Sequence, residues 1–194
     1  GAGPAVKIFY KASAQSHLLL GMRGFAISDK RRRAVKVLAN ILGGGMSSRL
    51  WRKVREELGA AYYVNAHAEC LLDHGNFTVS AGVEHGKIQA VIRGVLDEMK
   101  VLRDTLVPPV EIQKAKDHMI GNFIMNLETS DEVANFYGAE ELLTKKTQTV
   151  EEVVAGVRAV TAEEVRRVAR TLFKDDVLNL AVIGPHKDEV RFKQ

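Results

Sequence analysis

Gly43-Gly44-Gly45-Met46-Ser47-Ser48 stands between two apolar-periodic segments, and Arg55 and Tyr62 follow it seven residues apart. Glycine tolerates positive φ and admits close backbone approach, and Ser47 or Ser48 can supply an N-cap oxygen for the next helix. One glycine would turn such a corner, so three in succession point to a loop exposed to a partner or ligand. Its bare N–H groups could bind an extended peptide or an adjoining protein surface; tight packing between two helices is the other reading. A phosphate-cradling loop is excluded, because the run lacks a G-K-[ST] ending and precedes a helix without following a strand. Arg55 brings five fixed N–H donors and Tyr62 one hydroxyl donor, the types that steady negative charge growing on an oxygen. On spacing alone, Arg55 also reads as an exposed helix arginine beside Arg52 and Glu56, and Tyr62 as a half-buried strand tyrosine. Tyr63 competes with Tyr62, since neighbours on a strand face opposite ways.

Metal chemistry finds no foothold in this sequence. A catalytic zinc takes three protein ligands and keeps one position for water. The six histidines are His17, His67, His74, His85, His118 and His186, and no two share helical i, i+4 spacing. Cys70 is the single cysteine, which excludes an intrachain disulfide and a cysteine-rich metal site. It falls on the apolar side of a strand pattern and reads as buried and inert.

The elements that must position these residues follow from periodicity. Residues 6–11 and 15–26 alternate as strands. Residues 29–42 carry Val35, Leu38, Ala39 and Leu42 on one helical face. Leu50, Val54 and Leu58 mark a short helix that Gly59 ends. Residues 61–70 and 76–84 form two strands around a hairpin loop, and 86–103 has the strongest helical period. Pro108-Pro109 ends that helix and opens another. Three Thr-x-x-Glu capping boxes, Thr129/Glu132, Thr149/Glu152 and Thr161/Glu164, announce three more helices. Residues 178–183 close the pattern as a strand. Early and late strands around a helix-rich second half predict an α+β fold, an antiparallel sheet covered by helices.

The chain has 194 residues, 46% hydrophobic and 27% charged, which is ample for one core. Residues 5–194 are expected to form a single domain, with 1–4 a linker or expression remnant. The net charge of +4 is spread over helices of mixed sign. With 6% aromatic residues, that does not make a nucleic-acid surface. The one dense basic run, Lys30-Arg31-Arg32-Arg33, has no stacking aromatics beside it and reads as a solvated turn. Trp51 reads as a packing or interface residue. No stretch of about 20 apolar residues exists to span a membrane. The first residues lack a charged-then-apolar signal pattern. The compartment cannot be read from that end, and the cytoplasm is the favoured expectation.

The run from Leu42 to Val64, Leu-Gly-Gly-Gly-Met-Ser-Ser-Arg-Leu-Trp-Arg-Lys-Val-Arg-Glu-Glu-Leu-Gly-Ala-Ala-Tyr-Tyr-Val, resembles the second-half signature of the pitrilysin/insulinase superfamily of zinc metallopeptidases. Its nearest branch is the one that includes the mitochondrial processing peptidases. The resemblance implies homologous α/β modules in pairs, one carrying H-x-x-E-H on its first helix and the other closing over the substrate. The matching helix here, 29–42, has neither histidine nor glutamate, and Glu84-His85 would place Ala81 where the first histidine belongs. The zinc is therefore expected on a partner module, in the same chain or on a separate subunit, and none in this chain.

By the same resemblance, Arg55 and Tyr62, in preference to Tyr63, are the donors that reach a peptide substrate. Gly43, Gly44, Gly45, Ser47 and Ser48 are the expected substrate-binding or interface loop, beside the reading of tight helix packing. The implied function is the non-zinc, substrate-binding half of a metalloendopeptidase, inactive alone, that cleaves extended or unfolded peptides in a chamber formed with the zinc module. A catalytically inactive scaffold of the same family is the alternative, and retention of both Arg55 and Tyr62 argues against it.

Overall fold

The computed structural model describes residues 5–188 and 192, so the expected linker at 1–4 lies outside the described residues. Five strands form one sheet: β1 (Val6–Tyr10), β2 (Ser16–Arg23), β3 (Ala61–Cys70), β4 (Gly75–Val83) and β5 (Asn179–Gly184), in the order β1-β5-β2-β4-β3. The fold is α+β, as the pattern of elements predicts. The antiparallel arrangement holds for β2–β4, β2–β5 and β3–β4, but the outer pair β1–β5 is parallel, with Ile8 opposite Val182. Periodicity reports which residues share a face of a strand and is silent on the direction of its neighbour.

One face of the sheet is apolar and covered. Leu18, Leu20 and Met22 of β2, Phe77, Val79 and Ala81 of β4, and Val64 and Ala68 of β3 point into it and are buried. Helices α1 (Arg32–Gly43), α2 (Ile88–Asp104) and α6 (Ala162–Leu172) supply the facing layer through Val35, Leu38 and Leu42, Val91 and Val95, and Val165 and Val168. These residues form one continuous core. The opposite face is open, with Phe9, Leu19, Tyr63 and Ile183 exposed on it.

Helices α3 (Pro109–Met125), α4 (Ser130–Thr144) and α5 (Val150–Arg158) lie outside that layer. The capping boxes at Thr149 and Thr161 are both formed, with side chain and backbone bonding reciprocally. The one expected at Thr129 is not, because its side chain makes no capping bond. Helix α4 also contributes no buried residue. No helix among the described residues is long and apolar enough to cross a membrane.

A buried polar knot ties the start of β2 to the chain after β4. Ser16 is fully buried, and its Oγ lies 2.8 Å from His85 Nδ1 and 2.7 Å from His186 Nε2. His85 Nε2 faces the Ser13 carbonyl at 2.9 Å, so that nitrogen carries the proton and donates. His85 Nδ1 then accepts from the Ser16 hydroxyl, whose lone pair accepts from His186 Nε2–H.

Candidate functional site

The segment carrying Arg55 is a π-helix, Trp51–Glu57, wider than the short α-helix its periodicity predicts. The Leu58 N–H reaches back five residues to the Lys53 carbonyl, and the Ala60 N–H reaches Val54, closing the end one residue wider than usual. Gly59 makes the reversal at φ +53°, a backbone region that disfavours a β-carbon. Lys87 Nζ then donates to the Gly59 carbonyl at 3.0 Å and pins the corner to the turn after β4. Strand β3 starts immediately beyond.

Across this corner Arg55 and Tyr62 meet. Arg55 Nη1 donates to the main-chain carbonyl of Tyr62 at 2.6 Å. Its guanidinium lies over the Trp51 ring, 4.5 Å from the centroid. The Trp51–Arg55 spacing of i, i+4 was the sequence signal for that pairing, which reading Trp51 as a packing residue missed. Tyr62 is 58% exposed, and no described residue hydrogen-bonds its hydroxyl.

A bulge, and not simple alternation alone, separates the surroundings of the two tyrosines. The β3–β4 register jumps from Ala61 opposite Val83 to Tyr63 opposite Gly82, leaving Tyr62 with no partner across the ladder. Tyr63 is committed elsewhere, its hydroxyl 3.0 Å from His17 Nδ1. His67, further along β3, is exposed on the open face of the sheet.

The glycine loop has an inner and an outer part. Gly43, the last residue of α1, lies so close to β3 that a β-carbon there would sit 2.2 Å from the Ala66 nitrogen. Gly44 caps the helix through an N–H bond to the Asn40 carbonyl. Ser48 is the cap residue for the next segment: its Oγ accepts from the Trp51 N–H at 3.4 Å and donates to the Gly45 carbonyl at 2.6 Å. It is buried, so Gly45, Met46 and Ser47 form the outward tip, with Met46 74% exposed. Arg49 behind the tip makes a two-point ion pair with Glu111 at 2.7 and 2.8 Å, anchoring the loop to α3. His118 of α3 stands beside Gly45 and is held by Asn40 at 3.1 Å and Asn122 at 3.1 Å.

Burial pushes the Cys70 thiol above its ordinary pKa, and nearby Lys36 and Arg32 only partly offset it. That agrees with an inert thiol, although Cys70 is half-buried and not sealed. Among the described residues no group of three or more His, Cys, Asp or Glu side chains is placed to hold a metal ion. The described residues therefore do not fit a zinc centre.

The sequence profile of the family described as Peptidase M16 inactive domain matches residues 2–119. An uncharacterized zinc protease of Streptomyces coelicolor is 36% identical over 192 residues, covering 97% of this chain and 41% of that protein. One from Bacillus subtilis is 33% identical over 175 residues, covering 90% of this chain and 42% of its own length. The chain thus spans about two-fifths of the curated relatives it matches. The crystal structure of a peptidase M16 inactive domain from Pseudomonas fluorescens superposes with a TM-score of 0.84 at 21% identity, over 97% of this chain and 46% of that one. At that identity the likeness speaks for the fold.

Proposed function

The chain belongs to the peptidase M16 inactive-domain family, and on that premise we propose that it is the zinc-free, substrate-contacting half of a zinc-dependent endopeptidase. The metal would be held by a homologous module, in the same polypeptide or on a separate subunit, since the described residues offer no ligand set. The relatives named zinc proteases are more than twice as long as the region they share with it, which leaves room for such a module.

The observation that carries the reading is the Arg55–Tyr62 corner. One guanidinium N–H holds the Tyr62 carbonyl, and the fork lies over the Trp51 ring. Its remaining N–H groups and the unengaged Tyr62 hydroxyl are left to donate to the carbonyl oxygens of an extended peptide. Donors held in place before the reaction act on developing charge without reorganising, which is why such groups matter to rate. The exposed tip at Gly45, Met46 and Ser47 would add backbone N–H groups toward substrate or the companion module. The open sheet face would form a wall of the enclosure.

The test is cleavage of an unstructured peptide by the chain together with its zinc-bearing counterpart, for wild type, Arg55→Ala and Tyr62→Phe. Loss of rate in both variants, with the two modules still associating, supports the reading. Cleavage at the wild-type rate in both variants removes the donor role. An assembly that forms without cleaving any peptide makes the chain a scaffold of the same family.

A further inference from the structure

The basic run at the head of α1 is only in its first half the solvated turn that its composition suggests. Lys30 and Arg31 are exposed, Arg31 pairing with Asp29 at 2.7 Å and lying over the Phe25 ring. Arg32 and Arg33 turn inward, each donating through Nη2 to Gln148 Oε1, at 2.6 and 3.2 Å. Together with the exposed Lys36, one turn further on, they line a half-open cavity of about 420 Å³ bordered by α1, α3, α4 and α5. The remaining wall is apolar, with Ile120 and Phe123 from α3, Phe136 and Leu143 from α4, and Val154 from α5. Cys70, at the end of β3 remote from Tyr62, lines it as well.

The charges in this cavity are unbalanced. None of Arg32, Arg33 and Lys36 forms an ion pair with a carboxylate among the described residues. The one acid in the lining, Glu140, is engaged by the Gln148 backbone N–H at 3.0 Å. Two guanidiniums therefore share a neutral amide oxygen where an anion would bind each more strongly. The apolar wall is equally unfinished, since Phe136 is only half-buried and Leu143 is exposed. The volume falls within the ~300–1,000 Å³ of small-molecule sites.

An occupant must be apolar at one end and anionic at the other. We propose that this cavity binds a long-chain monocarboxylate, its alkyl chain against Phe123, Phe136 and Val154 and its carboxylate received by Arg32, Arg33 and Lys36. A small inorganic anion would leave the apolar wall uncovered, and an uncharged hydrocarbon would leave the cations unpaired. The alkyl chain would also give α4 the burial it lacks in the chain alone. This site does not depend on the peptidase reading.

The test is calorimetric titration of the chain, whose core is one cluster within these residues, with octanoate, decanoate and dodecanoate below micellar concentrations. Saturable binding at one site is expected, tightening about fourfold per added methylene. Dodecylamine and 1-dodecanol should bind at least about tenfold more weakly, as should dodecanoate to Lys36→Glu or Arg33→Gln. Bound dodecanoate should also slow alkylation of Cys70, the single cysteine, by N-ethylmaleimide. Absence of saturable binding overturns the proposal, as does binding undiminished in both variants. Equal affinity for 1-dodecanol overturns it too, because the cations would then contribute nothing.

Discussion

The Arg55 guanidinium donates to the main-chain carbonyl of Tyr62 at 2.6 Å, so the two residues are mechanically one unit across the Gly59 reversal. Removing Arg55 frees the backbone that carries the Tyr62 phenol. Arg55→Ala is expected to lower kcat/KM for peptide cleavage by about 10²–10³-fold. In that background Tyr62→Phe should cost far less than it does alone. Steady-state kinetics of the four variants of this cycle, assembled with the zinc-bearing module, measure the coupling. Losses that simply multiply would mean the two side chains act separately.

Two glycines in helices should respond to alanine with opposite sign. At Gly43 a β-carbon would press on the backbone of Ala66, and neither main chain can yield freely. Gly43→Ala is expected to destabilise by about 1–3 kcal/mol through overpacking. At Gly121, within α3, no atom lies within 4 Å of the added carbon. There alanine should stabilise by up to about 1 kcal/mol. Urea midpoints of the two variants give both signs in one experiment.

The three threonine caps divide in the same way. Thr149→Ala and Thr161→Ala each break a formed capping box and should cost about 1 kcal/mol. Thr129→Ala removes no capping bond and should cost clearly less. Thermal denaturation of the three variants ranks them.

These caps mark how far local chemistry reaches. Thr-x-x-Glu names the start of a helix, and α4, α5 and α6 all begin where it appears. Whether the side chain closes on the backbone is not decided by the spacing alone, since Thr149 and Thr161 close and Thr129 does not. The strands and most helices were legible for the same local reason, as with Phe77, Val79 and Ala81 alternating on β4. The parallel pairing of β1 with β5 was not, because it joins residues more than 170 positions apart. Nor was the inward turn of Arg32 and Arg33, which is set by Gln148, a distant residue with no special pattern around it. In the candidate site the resemblance picked out Tyr62. The π-helix and the bulge that place it required the structure.

The buried Ser16 hydroxyl joins two half-buried imidazoles. Ser16→Ala leaves His85 Nδ1 without its donor and should cost about 1–3 kcal/mol. Nitrogen NMR of His85 should report the proton on Nε2 in the wild type, and chemical denaturation measures the loss in the variant. A hydroxyl-free variant of unchanged stability would show that the knot contributes nothing.

Asp29 sets an acid limit. The hydrogen bond from the Arg31 guanidinium holds its carboxyl below the usual aspartate range, against a smaller opposing effect of burial. Because the folded-state pKa is the lower one, the contribution is complete above about pH 4 and fades as pH falls through the folded value. Arg31→Ala should return the Asp29 carboxyl toward its ordinary titration, followed by carboxyl NMR. The stability difference between wild type and variant should disappear in strong acid.

Strand β5, the last in sequence, lies between β1 and β2, the first two. A nascent chain emerging from the ribosome can pair β2 with β4 and β4 with β3 as soon as they appear. Strand β1 must wait, because its neighbour in the sheet is some 170 residues behind it. Closing the sheet is thus a late insertion over a long loop, the kind of high-contact-order step that folds slowly. Until it happens, both rims of the gap offer unpaired backbone to passing chains.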